Sequence, residues 1–196
     1  MKKLSVVICV FLMLFMAIGS CVADTVDKAL FENLDGYKYD KFNKTWSYHQ
    51  AYVHKFSDAN VVIGLQIEGG SEKQVPPALY CWIRNKQNTE VLMAVTKLMI
   101  LVGDNMYTFD KVYPSDSSSV VYLGAECKEF IEDLAAADSI TVRLVVKTGS
   151  MDEEITGSDY TDTLKVAAQA LLDSNVFSMI DEEYKQITDL FIPTKE

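Results

Sequence analysis

Few side chains in this 196-residue sequence could do chemistry at neutral pH. The only two histidines are His49 and His54. They sit five apart on one predicted strand, so they point to opposite faces of a sheet and do not converge. A metal site would need convergence and further ligands, and no histidine-containing zinc spacing occurs. We therefore expect no metal and no cofactor. No serine lies in a nucleophile-elbow pattern. Cys81 could meet His49 or His54 only through folding. Asp152, Glu153, Glu154 and Asp159 crowd one predicted loop over 149–159. Paired carboxylates can hydrolyse glycosides at separations of about 5–10 Å. With Thr156 the same group could hold calcium, but it lacks the EF-hand spacing. A solvated acidic face is the plainer reading. The chain reads as non-enzymatic.

Aromatic side chains offer a different chemistry. Trp46, Tyr48 and Tyr52 recur with period two and share one strand face, and Tyr80 and Trp82 share another. Exposed on a sheet, such rings would stack against sugars or peptide side chains. Otherwise they fill a core, where most large apolar side chains go. Arg143 interrupts an apolar strand. It could be an anion contact, or it could reach over the sheet to a surface carboxylate.

The first 23 residues read as an export leader. Lys2 and Lys3 are followed by an apolar run and then by Gly19, Ser20 and Ala23. The run is short of the roughly 20 residues a membrane span needs. Ile18-Gly19-Ser20-Cys21 is similar to a bacterial lipobox, in which Cys21 becomes the lipidated first residue; ordinary cleavage after Ala23 also fits. Export to the bacterial cell envelope or outer surface follows, with a membrane tether through Cys21 as one form of it. Cys81 and Cys127 would then stand in an oxidising compartment. They could be joined, or both could be buried thiols. The formal charge is −10, and removing a leader that carries Lys2 and Lys3 takes it to −12. That sign argues against nucleic acid and against adsorption to an anionic bilayer. It leaves a protein or glycan partner open.

These residues must be positioned by a mainly β framework. Alternation predicts strands over 45–56, 61–67, 79–84 and 139–147. The run VLMAVTKLMILV over 91–102 precedes Gly103-Asp104-Asn105 and a second apolar run, which reads as a hairpin. The strand is apolar on both faces, so we expect it to be central and doubly covered; a buried helix is the competing reading. Amphipathic helices are expected over 125–136 and 162–173, with a closing helix ended by Pro193. The expected fold is α+β: an antiparallel β-sandwich or curved sheet with late amphipathic helices packed on it. Residues 24–44 form a lead-in arm and 45–196 a single domain.

The helix over 125–136, the strand Ile140-Thr141-Val142-Arg143-Leu144, and the strand 97–102 followed by a turn and Tyr107 together resemble small β-rich domains of bacterial exported lipoproteins. The resemblance spans about residues 91–192. It implies a membrane-tethered accessory domain and brings no catalytic residue with it.

Overall fold

The computed structural model describes residues 28–55, 59–70, 74–85, 91–114, 119–180 and 182–196. The leader and Cys21 lie outside them. The strands are β1 (Tyr37–Asp40), β2 (Thr45–Lys55), β3 (Ala59–Gly69), β4 (Ala78–Asn85), β5 (Val91–Met93), β6 (Val95–Val102), β7 (Asn105–Phe109), β8 (Tyr113–Pro114), β9 (Ser119–Tyr122), β10 (Ser139–Val146), β11 (Gly149–Thr156) and β12 (Thr194–Lys195). They form two antiparallel sheets. The first runs β1-β2-β3-β4-β9-β8, with β5 also on β4; the second runs β11-β10-β6-β7-β12. The α+β expectation holds.

Period-two patterning gives each sheet one dry face. In the first sheet, Trp46 and Tyr48 of β2, Val61, Ile63, Leu65 and Ile67 of β3, and Leu79, Cys81 and Ile83 of β4 point inward and are buried. In the second, Leu98, Ile100, Tyr107, Phe109, Ile140, Val142, Leu144 and Ile155 do the same. Each large apolar side chain so buried contributes about 1.5–3 kcal/mol. Helix α1 (Ala29–Glu32) inserts Phe31 between Trp46 and Tyr48, with ring centroids 5.2 and 5.4 Å apart. The lead-in arm is thereby stitched into the domain.

The remaining helices join the same core. Helix α2 (Lys128–Ala136) follows a 3-10 turn, Ala125–Cys127, and sets Phe130 against Tyr107 and Phe109 of the second sheet. Next come α3 (Gly157–Tyr160), a π turn (Thr161–Lys165) and α4 (Val166–Asp173). This run packs on β2, β3 and α2. After α5 (Val176–Met179), α6 (Glu182–Thr188) and a 3-10 turn (Asp189–Phe191) lie on the outer face of the first sheet. Beyond Pro193 the chain crosses to the second sheet, where Thr194 and Lys195 pair with Thr108 and Tyr107.

Three expectations are corrected, and one open alternative is decided. The run 91–102 is not one strand: it breaks at Ala94, so β5 belongs to the first sheet and β6 to the second. Nor is β6 doubly covered, because Val95, Leu98, Ile100 and Val102 are buried while Thr96 is exposed and Lys97, Met99 and Leu101 are half-buried. Residues 149–156 are strand β11 rather than loop, in full register with β10. Cys81 and Cys127 are not bonded; both are buried free thiols. The physical reason is that α2 leans on the second sheet, leaving Cys127 Sγ 4.0 Å from the Phe191 carbonyl oxygen, while Cys81 lies inside the first sheet opposite Ile63 and Ser119.

Candidate functional site

The outer face of the first sheet is not polar, as the exposed face of an antiparallel sheet commonly is. On β4, Ala78, Tyr80, Trp82 and Arg84 point outward; register places Gln66, Gly64, Val62 and Asn60 of β3 beside them. Tyr122 and Val120 of β9 continue the row, and His49 of β2 adds its other side. The amphipathic α6 and its 3-10 extension place Tyr184, Ile187, Leu190 and Phe191 over this surface, with Phe191 edge-on to Tyr122 at 5.8 Å. Between sheet and helix lies a groove of about 800 Å³. That is within the range of small-ligand sites, roughly 300–1,000 Å³.

Gly64 explains how the floor is built. A Cβ there would come within 2.5 Å of Tyr80 Cζ and Oη, so only glycine lets the Tyr80 ring lie across β3. Tyr80 is buried, and burial pushes its phenol up to about 12. Trp82 is half-buried and stacks on Tyr80 at 5.0 Å, 17° from parallel. Arg84 places its guanidinium carbon 4.7 Å from the Trp82 ring centre. Tyr80 and Arg84 precede and follow Trp82 on the same strand face, so both faces of the indole are taken by its own chain. The Trp82 Nε1–H is a buried donor with no partner among the described residues. At the far end, the Gln66 amide donates to the Glu68 carboxylate, and His49 lies 6.2 Å from Tyr80 between ring centres. Desolvation holds the His49 imidazole below its ordinary pKa, only partly opposed by Glu68, which favours the neutral ring.

Among the described residues the lining has one carboxylate, Glu68. The candidate chemistry elsewhere is dispersed. Asp152 points outward and takes a bidentate ion pair from Arg143, at 2.7 and 2.6 Å, as the structural reading of Arg143 required. Glu153, next along β11, points inward, is buried, and meets His54 Nδ1 at 2.8 Å, joining the two sheets. Neighbouring carboxylates on a strand face opposite ways and form no cluster. Among the described residues no group of three or more His, Cys, Asp or Glu could hold a metal. Burial pushes the Cys81 thiol up to about 12 and Cys127 to about 11, so neither is a nucleophile.

The two aromatic sets part company. Trp46, 4 % exposed, and Tyr48, fully buried, belong to the core and are corrected as ligand-binding candidates. Tyr52, on the same inner face, is half-buried with its hydroxyl 3.2 Å from His54 Nδ1. Tyr80 and Trp82 form the groove floor. The wall residues Tyr122, Tyr184, Ile187 and Leu190 were not foreseen. Tyr184 and Ile187 had a sequence signal only as apolar positions of the closing helix, and the glycine inside an apolar strand, Gly64, pointed to the floor rather than the walls. No protein-family model, no curated protein and no solved structure shows a significant match to the chain.

Proposed function

We propose that this chain is an exported, non-enzymatic binding domain, held at the cell envelope by an acyl group on Cys21, and that its groove takes an extended apolar peptide segment of a partner protein. The leader and the stretch Ile18-Gly19-Ser20-Cys21 support the anchor, as does the resemblance to exported lipoprotein domains. The observation that carries the ligand class is the stack at Trp82. Sugar recognition by stacking needs a bare ring face, and Trp82 has none left. An extended peptide needs what remains: apolar walls for alternate side chains, and phenol O–H donors for backbone carbonyls. Tyr113, 59 % exposed at one rim, is the most open ring of the described groove lining and keeps a glycan in the test.

The chain has two tryptophans, so Trp46→Phe leaves Trp82 as sole reporter. Titration of that variant with peptide and glycan libraries should give a saturable emission shift with apolar peptides, lost when Leu190→Asp closes the wall. A response to glycans alone, or to nothing, overturns the peptide reading. The anchor is tested separately, by the mass of the processed N-terminus with and without inhibition of lipoprotein signal peptidase. A chain beginning at Asp24 without an acyl group overturns it.

A further inference from the structure

The turn between β1 and β2 is built to display one side chain. Asp40 accepts hydrogen bonds from the Phe42 and Asn43 backbone N–H groups, at 2.8 and 3.2 Å, and from Asn43 Nδ2 at 2.7 Å. Lys44 closes the turn at φ +55°, the one positive φ at a non-glycine among the described residues. Strained, over-determined backbone of this kind persists where it serves a purpose. What it presents is Phe42, 97 % exposed, beside Tyr39 at 46 %. A phenylalanine so placed in water is unfavourable and marks a contact surface.

The charges around it run against the rest of the molecule. Lys41 and Lys44 flank Phe42 in the turn, and Lys38 precedes it on β1, on the sheet face that also carries Glu68; the one acid in the turn, Asp40, accepts three hydrogen bonds and keeps its charge, which leaves the turn net positive. On the adjoining α1, Glu32 is engaged by Lys28 at 3.1 Å, and Lys28 in turn sits 5.3 Å from the Tyr39 ring centre. An acidic protein thus carries a basic, aromatic-tipped hairpin. Its position matters too. The described chain starts at Lys28, beside this hairpin, and Cys21 is seven residues upstream, at most about 25 Å of extended chain.

We infer that the β1–β2 hairpin is a membrane-facing surface: Phe42 enters the interfacial layer of an anionic bilayer while Lys38, Lys41 and Lys44 contact its headgroups. Lysines near an anionic leaflet and an aromatic ring at its interface act together. The whole-chain charge opposes adsorption, so the hairpin orients a chain already brought to the membrane and aims the groove away from it. The proximity argument rests on the anchor proposed above; exposure and charge do not.

The test uses the full chain with Phe42→Trp and vesicles carrying brominated acyl chains, either zwitterionic or with anionic lipid. Relative to the parent chain, the new tryptophan should be quenched on anionic vesicles, and K38E/K41E/K44E should lower that quenching about tenfold or more. Vesicle-bound chain whose residue 42 is unquenched overturns the inference. So does quenching indifferent to vesicle charge or to the three lysines. Association between copies in the absence of vesicles, abolished by Phe42→Ala, would assign the hairpin to a second copy instead and also overturn it. Because none of these readouts involves the groove, peptide binding can fail without touching this result.

Discussion

Single residues decide whether the groove exists. Gly64→Ala puts a methyl where the Tyr80 ring lies, and the ring must lift, taking Trp82 with it. We expect a stability loss of about 1–3 kcal/mol by denaturant titration, together with loss of the peptide response. A stable Gly64→Ala protein with unchanged binding would refute this account of the floor. His49 gives the groove a pH dependence. Its pKa in the fold lies below the unfolded value of about 6.5. Below that value the unfolded chain takes up a proton that the native ring resists. The stabilisation is therefore present above pH 6.5 or so and lost as pH falls through the folded value. His49→Gln should lose less melting temperature than wild type between about pH 7 and 5. The thiols give a third residue-scale result: Cys81 and Cys127 should be inert to a thiol reagent in the native chain and both reactive once it is denatured, and a reductant should leave the melting temperature unchanged.

Elements show how far patterning reaches. Strands β2, β3, β4 and β10 and helix α2 are legible because alternation or a helical stripe coincides with one buried face. Strand β11 is hidden by Asp152-Glu153-Glu154, which looks like a soft acidic loop. Its inward positions are Met151, Glu153 and Ile155, and only the distant His54 makes the middle one tolerable. The break at Ala94 is illegible for another reason: an apolar run does not say which sheet each half joins. Half of the aromatic site was readable, but whether Trp46 or Trp82 faces water depends on Phe31 and α6, which are remote in sequence. The junction of α2 with β7 tests element docking. Asp133 accepts from Tyr107 Oη and from Asn105 Nδ2 at 2.7 Å, and the Tyr107 hydroxyl above all holds its carboxyl below the usual range. Such a carboxylate stabilises above its unfolded pKa and ceases to as pH falls through the folded one. Asp133→Asn should cost about 1–2 kcal/mol at neutral pH, with the difference from wild type shrinking in acid.

At the scale of the molecule, the C-terminal segment fastens the two sheets. Its helix covers the first, and its last residues clip to the second: Lys195 bonds Glu129 at 2.6 Å, and Met106 and Glu196 exchange backbone hydrogen bonds at 3.0 and 2.9 Å. Removing residues 193–196 should lower the melting temperature by several degrees, as a loss of about 1–2 kcal/mol does in a domain of this size. It should also weaken peptide binding, because the wall that α6 provides is no longer held at its far end. A truncated chain with wild-type affinity would show that the clip is dispensable. The same arrangement bears on biogenesis. A chain is synthesised from its N-terminus, and here every strand but β12 is made before the segment that completes the groove. A copy arrested or nicked before residue 182 would already have both sheets but for β12 and yet lack one wall of the cleft, so competence to bind waits on the segment 182–196.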